Sequence, residues 1–120
     1  MKGETRMKRG VYYTTCERKN NGGRKERYKH IGYICSVTAS DGTEIGYAME
    51  YFTGMARVES IRATELSTGM MICSGKSYDA CRAKVEGYAD RIAEMAKTEW
   101  WHKLTREMED YKREMEDEAI

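Results

Sequence analysis

The chain contains no proline, a single phenylalanine and only two histidines. Without proline, no position in a long helix is forced to lose its backbone donor. The two histidines, His30 and His102, make no H-x-x-x-H pair, and the four cysteines make no C-x-x-C pair. His30 and Cys35 fall on opposite faces of one strand, so they cannot share an ion. No set of carboxylates has ligand spacing either, and the sequence implies neither a metal nor a cofactor. No apolar run approaches the length of a membrane span, so no membrane partner is expected. The first residues, Met1 to Arg6, carry charges with no apolar stretch behind them, which is not the pattern of a signal peptide. A cytoplasmic protein is expected. Cys16, Cys35, Cys73 and Cys81 then read as free thiols, three of them in apolar surroundings.

What is present fits one domain of 120 residues. Residues 1–8 are expected to be flexible, residues 10–74 to form an antiparallel sheet, and residues 77–118 to be helical. Gly10 to Cys16 is rich in aromatic and β-branched residues and reads as a strand. Asn21-Gly22-Gly23 breaks the polar stretch that follows and favours a turn. Period-two alternation then marks two strands. Ile31, Tyr33, Cys35, Val37 and Ala39 are the apolar positions of the first. Ile45, Tyr47, Met49 and Tyr51 are those of the second. Between them stands Ser40-Asp41-Gly42. A two-residue Asp-Gly loop would set the two apolar faces against each other. A three-residue loop with Gly42 left-handed pairs odd with odd: Val37 with Ile45, Cys35 with Tyr47, Tyr33 with Met49 and Ile31 with Tyr51. The opposite face holds His30, Gly32, Glu44, Gly46, Glu50 and Phe52. Its glycines leave it shallow, free to be solvated, covered or to receive a ligand.

Residues 55–66 fit an edge strand slightly better than a helix, and Gly69 to Cys73 reads as one more strand. From Ser77, a good N-cap, the spacing turns helical. Cys81, Val85, Tyr88, Ile92 and Met95 define a face that should cover the sheet. A second stripe, Trp101, Leu104, Met108, Tyr111 and Met115, is rotated from the first by roughly 100°. The fold class is therefore α+β: an antiparallel meander of four to five strands and a long C-terminal helix, bent or broken near Lys97-Thr98.

Two features carry the functional expectation. Residues 1–30 hold ten Lys and Arg against three Glu, while residues 105–120 hold three against seven Asp and Glu. Arg18, Lys19, Arg24, Lys25, Arg27 and Lys29 gather on or beside a ribbon tip, with Tyr12 and Tyr28 nearby to stack on bases. Such a basic ribbon suits phosphate contacts. Trp100, Trp101, Leu104, Met108, Tyr111 and Met115 form the second feature, a stripe with no assigned partner inside the domain. It suggests a protein interface and a homodimer. Ser74-Gly75-Lys76-Ser77 resembles the end of a phosphate-binding loop, but Gly69 to Gly75 leaves five residues where the motif needs four, and four of them are apolar. A capped turn is expected there. No hydroxyl or thiol nucleophile stands beside a base in sequence, so no catalytic residue is named and no enzyme is expected. The expected function is non-catalytic binding of nucleic acid through the ribbon. The alternatives are an inhibitor or adaptor, of the kind mobile elements encode, that acts on a nucleic-acid-processing protein, and a small enzyme with an unrecognised site.

Overall fold

The computed structural model describes residues 8–18, 24–52 and 61–118. Five strands run in chain order: β1 (Lys8–Arg18), β2 (Arg24–Thr38), β3 (Glu44–Tyr51), β4 (Ile61–Glu65) and β5 (Met71–Gly75). All neighbours are antiparallel, so the sheet is a β-meander. Two helices follow, α1 (Tyr78–Met95) and α2 (Glu99–Glu118). The helical region is thus two helices rather than one. The break falls at residues 96–98, where Thr98 Oγ1 accepts from the Trp101 N–H and starts α2 afresh. The expected turn at Asn21-Gly22-Gly23, the N-terminus before Lys8 and residues 55–60 lie outside the described residues.

The hairpin between β2 and β3 takes the three-residue loop. Ala39 N–H donates to the Thr43 carbonyl, Gly42 N–H to the Ala39 carbonyl, and Gly42 has φ +90°. Odd positions pair with odd, including Val37 with Ile45, Cys35 with Tyr47 and Tyr33 with Met49. The ladder stops there. Ile31 and Tyr51, expected as a fourth core pair, are each 54% exposed and do not join the core. The segment expected as an edge strand holds β4 at residues 61–65, and β4 is interior; β5 forms the edge instead.

Helix α1 covers the odd, outer face. Cys35, Tyr47, Met49, Ile61 and Ala63 from the sheet enclose Cys81 and Val85 from α1. Burying a Met, Ile or Val side chain in this way contributes roughly 1.5–3 kcal/mol. Desolvation pushes the Cys81 thiol up to about 12, so it behaves as a small apolar group. The covering stripe is rotated from expectation. Ala89 and Ala93 take the buried positions while Tyr88 and Met95 are exposed, since small residues let α1 lie close to the β2–β3 hairpin. Ser77 caps α1 through the Ala80 N–H. A Cβ on Gly75 would stand 2.8 Å from the Cys81 nitrogen. The helix therefore sits directly on Gly75 with no space for a phosphate, and the capped turn is what forms.

The sheet curls until its first strand meets its last turn. Thr15 N–H donates to the Gly69 carbonyl at 2.8 Å, and Thr15 Oγ1 donates to the Thr68 carbonyl at 2.9 Å. The buried Glu65 carboxylate shapes that turn by accepting from the N–H and hydroxyl of both Ser67 and Thr68. Gly69 has φ +76°, and a Cβ there would come within 2.6 Å of both Met108 Cε and Thr15 Oγ1. Only glycine fits between β1 and α2 at this point. Curling turns the even positions inward, toward a concave face.

Candidate functional site

The concave face carries a polar network spread over four strands. Tyr12 on β1 and His30 on β2 are cross-strand partners, and their rings stack with centroids 5.2 Å apart. Tyr12 continues over Gly32, where a Cβ would lie 2.9 Å from its ring and 2.8 Å from the Met49 carbonyl. The missing side chain is what lets the phenol cross β2. Its hydroxyl donates to Glu50 Oε1 on β3 at 2.5 Å. Burial, followed by that hydrogen bond to a carboxylate, raises the Tyr12 phenol far above its ordinary value. Leu66 fills the gap over Gly46 in the same way. The shallow face that the glycines imply is thus partly filled by neighbours.

His30 stands between two polar groups. Its Nδ1 lies 3.4 Å from Glu50 Oε1, and its Nε2 lies 2.9 Å from Thr14 Oγ1. Phe52 meets the His30 ring edge-on at 5.9 Å, and the Arg62 guanidinium covers Phe52 at 4.6 Å. Glu50 and Arg62 are directly opposite on β3 and β4. The Glu50 carboxylate nevertheless turns to Tyr12 and His30, and no carboxylate among the described residues lies within ion-pair distance of Arg62. Thr14, Tyr28, His30, Phe52 and Arg62 line one cleft of about 310 Å³, whose far wall is Gly69 and Met71. That is the lower end of the range for small-molecule pockets, about 300–1,000 Å³.

The residues expected to contact nucleic acid divide sharply. Tyr28 is 39% exposed at the cleft, its hydroxyl bonded to Glu26. Lys29 is exposed on the other face of the same strand. Tyr12 is a correction: at 2% exposed it cannot stack on a base, and it positions Glu50 instead. Arg27 is a second correction. It lies under α2, 3.7 Å from Glu107 and over the Tyr111 ring, so its charge is spent inside the chain. Lys19 and the side chains of Arg18, Arg24 and Lys25 lie outside the described residues.

The stripe on α2 has its partner within the chain. Trp101, Leu104 and Met108 are buried, Met108 against Gly69. Tyr111 meets Tyr13 edge-on at 5.6 Å. The rotation between the two stripes goes with a change of partner: α1 lies across β2 to β5, most heavily on β5, Trp101 still joins α1's cluster with Ile45 and Ala89, and Met108 and Tyr111 turn to Gly69 and Tyr13. Trp100 and Met115 alone of the six expected interface residues are exposed. Tyr88, Met95 and Trp101 line a second, apolar groove of about 340 Å³ beside Met71 and Ile72.

His30, Glu50, Phe52 and Arg62 were not named as site residues from sequence. Three of them were legible as co-facial, since they occupy even positions of two strands with a known register. Arg62 was not, because its segment fitted strand and helix almost equally. Among the described residues no group of three His, Cys, Asp or Glu side chains is placed to hold a metal ion, and no helix is long and apolar enough to cross a membrane. No family model, no curated protein and no solved structure matches the chain.

Proposed function

We propose that this protein binds single-stranded nucleic acid, with one nucleotide seated in the concave cleft and the neighbouring phosphates on the basic ribbon. The observation that carries the reading is the cleft itself. Three rings, Tyr28, His30 and Phe52, and the Arg62 guanidinium, which has no carboxylate partner among the described residues, line one volume at the foot of the β1–β2 ribbon. Aromatic faces accept any base, and stacking contributes roughly 1–3 kcal/mol per base. A guanidinium without a carboxylate partner suits a phosphate oxygen better than it suits an apolar ligand. Duplex is disfavoured by this geometry, because its bases are stacked on one another and cannot enter a cleft of this size.

The test is fluorescence anisotropy with a labelled 12-mer, single- or double-stranded, at low and moderate salt. Single strands should bind more tightly than duplex, and affinity should fall steeply as salt rises. Tyr28→Ala should weaken binding by about tenfold, the middle of the stacking range. Changing Arg18, Lys19, Arg24 and Lys25 together to Ala should remove most of the salt dependence. Binding by the parent that ignores salt and strandedness would overturn the reading.

A further inference from the structure

From the geometry around His30 we infer that the same cleft cleaves RNA, with His30 as general base on a ribose 2′-hydroxyl and Arg62 on the adjacent phosphate. This inference rests on the nucleic-acid reading above and adds a reaction to it.

The arrangement is that of a carboxylate, an imidazole and a hydroxyl in series. Glu50 Oε1 stands 3.4 Å from Nδ1, a charge contact longer than a hydrogen bond, and its negative charge favours the tautomer with its proton on Nδ1. Nε2 is then left with its lone pair directed at a hydroxyl, that of Thr14, at 2.9 Å. The Thr14 oxygen marks the place a substrate hydroxyl would occupy once Thr14 turns aside. Tyr12 restrains the assembly twice, by donating to Glu50 and by stacking beneath the imidazole. A base beside an acid that is itself held by a tyrosine is a setting in which a hydroxyl can be activated.

A purely structural network would be complete with Tyr12, His30 and Glu50. It gives no reason for Arg62 to forgo the carboxylate directly across from it. An arginine that has no ion-pair partner among the described residues and lines the same cleft as a base is placed to stabilise charge developing on an anionic centre.

The substrate class follows from the chemistry. One imidazole can deprotonate an alcohol that is already beside its target, because an intramolecular nucleophile is favoured by a very large effective concentration. RNA brings such an alcohol next to every phosphorus; DNA brings none. In the step, the 2′-hydroxyl proton moves to Nε2 as the O2′–P bond forms, and the P–O5′ bond breaks. The departing O5′ takes a proton from water, and His30 returns its proton to solvent. The products are a 2′,3′-cyclic phosphate and a 5′-hydroxyl, with no change of oxidation state. His30 and Arg62 are the catalytic residues of this scheme, and Glu50 and Tyr12 are positioning residues.

The experiment uses the full chain and three single-stranded 20-mers of one sequence: RNA, its 2′-O-methyl form and DNA. All three should bind, and the RNA alone should be cut, leaving cyclic-phosphate ends identifiable by mass. His30→Gln, prepared identically, should lower the cleavage rate measured at saturating RNA at least 100-fold, within the range for loss of a general base. Glu50→Gln should lower kcat and leave KM within about threefold, a split that simple unfolding would not give. RNA that binds and stays intact overturns the inference and spares the binding reading. Cleavage of the 2′-O-methyl strand, or cleavage that survives His30→Gln, also overturns it. If no strand binds, both fall. The comparison of substrates decides the matter even where a variant melts early.

Discussion

The two faces of the sheet solve different problems with the same strands. On the outer face, Cys35, Tyr47, Met49, Ile61 and Ala63 lie under Cys81 and Val85, and shape is the main requirement. On the inner face, Tyr12, His30 and Glu50 lie across three strands, and direction is the requirement: each polar side chain meets a particular partner. A lost methyl on the outer face leaves a void. A lost hydroxyl on the inner face leaves a charged group without its donor. Glycine also works differently on the two sides. Inside, Gly32 is the opening through which Tyr12 reaches Glu50.

The contrast can be broken at graded sites. The largest effect is expected from Met49→Ala and Met108→Ala, both fully buried, at about 3 kcal/mol each in chemical denaturation. Trp100→Ala, on the same helix as Met108 but 48% exposed, should stay within about 0.5 kcal/mol. Equal losses at Met108 and Trp100 would refute the packing of α2 described here. On the inner face Gly32→Ala should cost about 2 kcal/mol by forcing the Tyr12 ring off its path. Near-neutral behaviour there would mean that Tyr12 does not need that opening. The smallest effect is electrostatic. Asp90 on α1 accepts from the Ser40 N–H and hydroxyl, and those two bonds, the backbone one foremost, hold its carboxyl below the usual range. A lowered folded value stabilises the fold above the unfolded carboxylate pKa of about 3.9 and stops doing so as pH falls through the folded value. Asp90→Asn should therefore melt slightly earlier than the parent at neutral pH, with the gap closing in strong acid.

Much of the outer face was legible in the sequence. Cys35, Ile45, Tyr47 and Met49, picked out by the alternation, are buried, and Ser40-Asp41-Gly42 sets the register through one left-handed glycine. The split of the helical region was legible too, in the shift between two stripes. What covers the second stripe was not, since a stripe on α2 looks the same whether it meets a second molecule or the chain's own ribbon. The inner network was the least legible. Its members stand as far apart as positions 12 and 62, and none departs from an ordinary strand pattern. Curvature of the sheet brings them together, and curvature is written in no short window. The basic ribbon shows the reverse difficulty: Arg27 counts as a charge in composition but is consumed by Glu107 and Tyr111.

The link between Thr15 and the Thr68–Gly69 turn has a kinetic consequence. It joins residues 53 positions apart, whereas the β2–β3 hairpin closes over a three-residue loop. Joining ends that distant costs roughly 3.5 kcal/mol of chain entropy, against far less for a hairpin. Contacts of long sequence separation form late in folding. The meander should therefore assemble strand by strand, and the cleft should exist only after the ribbon has swung across and latched. On the way out the order should reverse, with the latch opening and the cleft emptying while the outer core is still intact.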